Sequence, residues 1–126
     1  MNLQPAASDN ESIRRTIQNY IDGYVHKDVD LLGKTFSAGA KLKSIEDGEL
    51  SEIPTSEWFL TLQERKKAGQ TVALTASEIK WIHQTGRAAM AIVHLKFPMF
   101  VFTDYLSLLE TKAGWRIVSK IYMAEP

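Results

Sequence analysis

The sequence predicts an α+β fold: a cone of three N-terminal helices packed on the concave face of a curved, mostly antiparallel sheet of four to six strands. Helical spacing of apolar residues is confined to the first half of the chain, and long apolar strands fill the second half. The final strands, which span 102–123 around a turn at 112–114, carry apolar residues at both parities, so both sheet faces should be covered. The 126 residues, of which 44% are hydrophobic, suit one domain over 1–126, with 1–7 as a flexible tail.

Each predicted helix has a start signal and an apolar stripe. Ser8 and Glu11 form a capping box at the first helix, and Asp28 is placed to cap a short second helix that runs through Phe36. Thr55 or Ser56 is expected to cap the third helix, whose basic end suits the negative C-terminal dipole before Gly69. Three- and four-residue spacing defines the stripe of the first helix, at Ile13, Ile17, Tyr20, Ile21 and Tyr24.

Strands are predicted at 40–45 and 50–53, joined by an Asp47-Gly48 turn, and then at 72–83, 87–97 and across 102–123. Strict alternation assigns the faces. It places Ile79 with Trp81 on one face and Ile82 on the other. We expect the cone interior to receive Met90, Ile92, His94, Ile117, Ser119, Ile121 and Met123, with Arg116, Val118, Lys120 and Tyr122 facing out.

Asp104 is the strongest candidate for a functional residue, because it is an acid within an apolar run. Burying a carboxylate is unfavourable unless it is hydrogen-bonded, so the residue needs a partner. One interpretation directs it into a pocket, where burial raises its pKa and allows it to donate to a ligand oxygen. The alternative is a purely structural bond to Tyr20, to a backbone N–H or to a basic residue.

Composition limits the function classes. Fifteen basic and fifteen acidic residues give a formal charge of zero, so no basic field favours nucleic acid or a membrane surface. The absence of cysteine excludes disulfides and thiol chemistry. Three histidines without ligand spacing make a metal site unexpected, and no cofactor is expected. With no signal peptide and no membrane-length apolar run, the expected location is the cytoplasm.

The residues ESIRRTIQNYIDGYVHKDVDLL (11–32), followed by Phe36 and a strand, resemble the opening of the nuclear transport factor 2-like superfamily. Two later segments, DGELSEIP with SEW (47–58) and FTDYLSLLETKAGWRIVSKIY (102–122), resemble its bacterial "putative lumazine-binding" branch. The resemblance implies a cone-shaped fold of the cystatin-like and SnoaL-like kind, commonly dimerised through the outer sheet face. It fixes no reaction, because the fold hosts isomerases, dehydratases, cyclases and non-catalytic carriers.

Comparison with ketosteroid isomerases, which share the superfamily, carries three positions over. Tyr20 falls at their first-helix tyrosine, Asp104 at their neutral carboxylic acid, and Ser44 at their catalytic base. A serine with no evident base cannot abstract a carbon-bound proton. The resemblance therefore implies that the donor pair is kept and the base is lost.

The leading hypothesis is a protein that binds a small hydrophobic or aromatic molecule in an apolar pocket and forms a homodimer. One alternative is an isomerase, dehydratase or cyclase with Asp104 as general acid and His94 as possible base; whether the protein is an enzyme stays open. A third is a non-catalytic dimeric interaction module with a filled cone. Trp58 is expected at the pocket mouth. The candidate ligand-binding residues are Tyr20, Tyr24, Ser44, Trp58, Met90, Ile92, His94, Asp104, Ser119 and Met123.

Overall fold

The computed structural model describes residues 7–71 and 73–126, with side chains described from residue 10. It contains helices α1 (Ala7–His26), α2 (Val29–Thr35) and α3 (Thr55–Lys67), and strands β1 (Phe36–Glu46), β2 (Glu49–Pro54), β3 (Ala76–Thr85), β4 (Ala88–Lys96), β5 (Val101–Thr111) and β6 (Gly114–Glu125). Within the described part, no helix is both long and apolar enough to cross a membrane.

The six strands form one sheet in the order β2-β1-β6-β5-β4-β3. Every pairing is antiparallel except that of β1 with β6, which is parallel. This confirms the α+β class and the mostly antiparallel sheet. The description of all three helices as N-terminal is imprecise, because α3 follows the β1–β2 hairpin, as the predicted order of elements has it. That hairpin turns at Asp47 and Gly48, which both have positive φ, as the predicted two-residue turn requires.

The core lies between the helices and one face of the sheet, called the inner face here. On β5 the inner face carries Asp104, Leu106 and Leu108, which are almost fully buried. Tyr105 and Leu109 point to the opposite, outer face and are about half exposed. The apolar residues of α1 pack on the inner face and, together with residues of α2 and α3, exclude water from it.

The helix boundaries differ from the predictions where local geometry decides them. Asp28 caps α2 as predicted, since its side chain accepts from the Leu31 N–H at 3.1 Å. Phe36 is extended and starts β1, so α2 ends one residue earlier than expected. Helix α3 begins after Pro54 without a side-chain cap, so neither Thr55 nor Ser56 acts as expected. The predicted Ser8 cap rests on a side chain outside those described; of the predicted tail, only Ala7 is described, as the first residue of α1.

Two irregularities in strand register reverse the predicted faces. In β3 the pairing shifts between Ile79 and Trp81, so Ile79 lies on the inner face while Trp81 is exposed on the outer one. In β6 the pairing shifts beside β5, so Val118 is an extra residue. A one-residue bulge changes which parity faces the core. Consequently Ile117 and Lys120 both face inward, which strict alternation forbids.

Strand β4 also has the opposite orientation to the one predicted. Its buried residues are Ala89, Ala91, Val93 and Leu95, whereas Met90 is half exposed. Both parities of β4 are apolar, so alternation alone could not decide which parity faces the helices. The interior placement of five candidate residues is therefore wrong, and the outer face holds Met90, Ile92, His94, Ser119 and Met123.

Candidate functional site

A cavity of about 310 Å³ opens between the inner face and the helices α1 and α3. Its volume lies at the lower end of the range of roughly 300–1,000 Å³ that small-molecule sites occupy. Its wall is mixed, with aromatic rings, aliphatic groups and five acidic or basic side chains. The residues that line it are Tyr24, Leu42, Glu46, Ile53, Glu57, Trp58, Thr61, Arg65, Leu95, Phe102, Asp104, Lys120 and Tyr122.

At the base of this cavity, a tyrosine hydroxyl joins an acid and an amine. The Tyr20 hydroxyl donates to Asp104 Oδ2 at 2.5 Å. The same hydroxyl oxygen accepts from Lys120 Nζ at 2.7 Å. Tyr20, Asp104 and Lys120 are all buried, and they come from α1, β5 and β6. The three side chains, called the relay here, form one continuous hydrogen-bonded chain.

Four aromatic rings surround the amine of Lys120. Its Nζ lies 4.9 Å from the ring centroid of Tyr20, 5.0 Å from Trp58, 5.1 Å from Tyr122 and 5.8 Å from Tyr24. Each distance is within the range in which a cation interacts favourably with a ring face. The rings also exclude water, so the amine sits in an aromatic box.

Burial shifts the pKa values of this cluster away from their ordinary values. Desolvation lowers the pKa of Lys120, and the negative charge of Asp104 opposes the change only in part. Desolvation also raises the pKa of Tyr20 well above 10.0, and Asp104 raises it further through its charge and hydrogen bond. The pKa of Tyr24 is raised as well, mainly by burial. Tyr20 therefore stays protonated, while Lys120 releases its proton more readily than a solvent-exposed lysine.

Local structure explains how these side chains converge. Strand alternation places Asp104 and Phe102 on the same face of β5 as the buried leucines. Helical spacing of four residues stacks Tyr24 on Tyr20, with ring centroids 6.5 Å apart. Only the bulge at Val118 directs Lys120 inward.

The predicted site residues fall into two groups. The structure brings Tyr24, Trp58 and Asp104 to the cavity wall and joins Tyr20 to Asp104, so the expected acid–phenol pair lies on one side of the sheet. Ser44 is buried on the inner face of β1, and its Oγ has no hydrogen-bond partner among the described residues. The other five candidates, Met90, Ile92, His94, Ser119 and Met123, lie on the outer face and do not reach the cavity.

Sequence reasoning missed Lys120 and Tyr122, which it assigned to the outer face. The sequence offers a weak signal for them. Both parities of β6 carry large apolar or aromatic residues, which alternation without a bulge does not explain. A cation with apolar and aromatic neighbours, like an acid among them, was also a candidate for burial.

No group of three His, Asp or Glu side chains close enough to hold a metal ion occurs across 7–71 and 73–126. The polar groups of the cavity are instead an acid, an amine and hydroxyls, with Glu46, Glu57 and Arg65 towards its rim. This arrangement can bind a polar oxygen or transfer a proton.

The fold is similar to that of solved proteins described as NTF2-like or as having a cystatin-like fold. A protein of this class from Shewanella baltica, of unknown function, superposes with a TM-score of 0.84 at 24% identity, covering 98% of each chain. One from Silicibacter pomeroyi, also of unknown function, gives 0.81 at 21% identity, covering 97% of this chain and 100% of the other. A Nostoc punctiforme domain of unknown function with a cystatin-like fold gives 0.72 at 13% identity, covering 97% and 80%.

The chain belongs to the family described as "Putative lumazine-binding", whose sequence profile matches residues 8–123. No curated protein matches the sequence. The structural similarities are all below 25% identity, so they establish the fold and carry no activity over to this chain.

Proposed function

We propose that this protein binds a small aromatic or hydrophobic molecule that carries a polar oxygen, in the cavity between α1, α3 and the inner face. The observation that carries the proposal is that Lys120 and Asp104 reach one cavity whose wall also contains four aromatic side chains and three aliphatic ones. Apolar walls with a few convergent polar groups are the usual composition of a ligand site. The family description, "Putative lumazine-binding", is in keeping with a planar ligand of this kind.

The geometry does not favour the acid–base enzyme in which Asp104 and His94 act together. Asp104 pairs with Val93, which is buried on the inner face. His94 is the next residue of β4 and therefore points to the outer face. An acid and a base must converge on one site to act on one substrate. The cavity likewise disfavours a cone that is merely filled by side chains.

A binding experiment with a filled cavity tests the proposal. The probes are 2-naphthol and lumazine, titrated by calorimetry against the wild-type protein. Thr61 lines the cavity from α3, so Thr61→Trp should occupy the ligand's space and weaken binding at least about tenfold, or 1.4 kcal/mol. Leu60, its neighbour, is 62% exposed, so Leu60→Trp should leave affinity unchanged.

The comparison of the two variants decides the location of binding. If Thr61→Trp binds either probe as tightly as Leu60→Trp, the cavity is not the site. If wild-type protein binds neither probe, the proposed ligand class is wrong.

We further propose that a second copy of the chain covers the outer face, as the resemblance of the sequence implies. That face exposes an unusually large set of apolar side chains for a protein surface. The members on β3 to β6 that are 43–51% exposed are Trp81, Met90, Tyr105, Leu109, Ile121 and Met123.

A further inference from the structure

We propose that Lys120 is a covalent site, where an aldehyde or ketone with an aromatic or hydrophobic body condenses with Nζ to form an imine. This inference names a ligand class for the cavity and so rests on the proposed function. It starts from the position of Lys120, which lines the cavity and whose Nζ donates to the Tyr20 hydroxyl oxygen at 2.7 Å.

Imine formation needs a neutral amine and a protonated acid at the same time, and the relay can supply both. When one proton passes from Nζ to the Tyr20 oxygen, the Tyr20 proton can pass to Asp104 Oδ2. An ammonium and a carboxylate thereby become a neutral amine and a carboxylic acid, with no proton gained or lost by the cluster. Burial lowers the pKa of Lys120, which makes it easier for Nζ to pass its proton along the relay. The nucleophile and the acid then border the same cavity.

Each step of the condensation balances with these groups. The Nζ lone pair attacks the carbonyl carbon, the carbonyl π electrons move to oxygen, and the nitrogen proton transfers to that oxygen to give a carbinolamine. The Asp104 carboxylic acid then protonates the hydroxyl, which leaves as water while the nitrogen lone pair forms the C=N bond. The products are a protonated imine at Lys120, the Asp104 carboxylate as its counter-ion, and one water. Hydrolysis reverses the sequence.

The surroundings of Lys120 distinguish it from the other lysines. A lysine that is desolvated in an apolar pocket is a recognised way to activate an amine as a nucleophile. The charged and titratable groups that face it or share its cavity come from α1, α3, β1, β5 and β6, and they are Tyr20, Tyr24, Glu57, Arg65, Glu46, Asp104 and Tyr122. By contrast, Lys34 and Lys112 are exposed. Lys27 is also buried, but its Nζ donates to the Gln70 carbonyl at 2.6 Å and the residue does not line this cavity.

Reductive trapping tests the inference directly on the wild-type protein. We expect that treatment with 2-naphthaldehyde and sodium cyanoborohydride at about pH 6 gives one adduct, because exposed lysines are protonated at that pH. The adduct should increase the protein mass by the mass of the aldehyde less one oxygen. Peptide mapping should place it on Lys120.

Tyr20→Phe keeps the amine but breaks the relay, so trapping at saturating aldehyde should slow at least about tenfold, or 1.4 kcal/mol in the barrier. Circular dichroism checks that this variant folds.

A non-carbonyl analogue separates the two proposals. Naphthalene-2-methanol has the same aromatic body and cannot form an imine. If it binds while the aldehyde gives no adduct, or gives adducts only on exposed lysines, the imine site is refuted and the binding function stands. If Tyr20→Phe traps at the wild-type rate, the relay has no part in the reaction. If neither compound binds, both proposals fail.

Discussion

At the scale of single residues, the central question is how a lysine that is only 7% exposed can be accommodated in an apolar interior. Transferring an ion from water into a protein interior costs several kcal/mol after relaxation. A favourable cation–π contact contributes about 2 kcal/mol when it is desolvated, and contacts of one cation with several rings are not additive. The aromatic box alone is therefore too weak. The hydrogen-bonded connection through Tyr20 to Asp104 supplies the remaining stabilisation.

This argument predicts a strong dependence of stability on Asp104. Asp104→Asn at pH 7 removes the negative partner and leaves the Lys120 charge buried without compensation, so the free energy of unfolding should fall by about 3–5 kcal/mol. Urea denaturation measures the change. The double variant Asp104→Leu with Lys120→Met removes both charges and should recover much of the loss, because the charged partners are replaced by apolar groups.

The interpretation is contradicted if Asp104→Asn costs less than about 1 kcal/mol, the size of an ordinary net hydrogen bond. The interpretation would also be contradicted if the loss of stability in the double variant equalled the sum of the losses caused by Asp104→Leu alone and Lys120→Met alone. That result would show that Asp104 and Lys120 are stabilised independently of one another.

At the scale of elements, close approach of α1 and α2 depends on a single glycine. A Cβ added at Gly23 would lie 2.8 Å from both Cγ and Cδ2 of Leu32. Leu32 is fully buried in the core, so it has little room to move away. Glycine is normally unfavourable inside a helix, which shows that packing outweighs helix propensity at this position.

Two matched substitutions test this balance. Gly23→Ala should lower the free energy of unfolding by up to about 2 kcal/mol, because overpacking of about 1–3 kcal/mol is offset only in part by a propensity gain of about 1 kcal/mol. Gly33 lies in α2, and a Cβ added there would meet no atom within 4 Å, so Gly33→Ala should raise the free energy of unfolding by about 0.5–1 kcal/mol. Thermal unfolding of both variants gives the comparison. A stabilised Gly23→Ala would mean that Leu32 repacks at little cost.

The elements also show where prediction from sequence succeeds and where it fails. The stripe of α1 and the turn at Asp47 follow from local pattern, since α1 has one apolar face and the turn has a specific dipeptide. Lys120 could not be placed, because a bulge depends on how β6 pairs with β5, which is not a local property. Met90 was misplaced for a related reason: β4 is apolar on both sides, and tertiary packing selects the parity.

At the scale of the whole molecule, the apolar residues of the outer face form one surface. The outward-facing apolar residues of neighbouring strands are in register, so Trp81 pairs with Ile92, Ile92 with Tyr105, and Tyr105 with Ile121. A continuous row across four strands is a surface of the kind that is buried when two sheets pack face to face. The same sheet thus separates the proposed ligand cavity on one side from the proposed dimer contact on the other.

The separation makes the two properties independently testable. Sedimentation of the wild-type protein at micromolar concentration should show a dimer. Tyr105 lies at the centre of the row, so Tyr105→Glu places two unpaired carboxylates at a symmetric contact and should give a monomer, because isologous contacts double the effect of each substitution. Leu60→Glu, on an exposed position of α3, is the matched control and should stay dimeric.

Since Tyr105 points away from the cavity, the monomer should still bind 2-naphthol with affinity within about threefold of wild type, or 0.7 kcal/mol. A monomeric wild-type protein, or a Tyr105→Glu dimer, would show that the outer face is not the contact; loss of 2-naphthol binding in a folded monomer would show that the two faces of the sheet do not act separately.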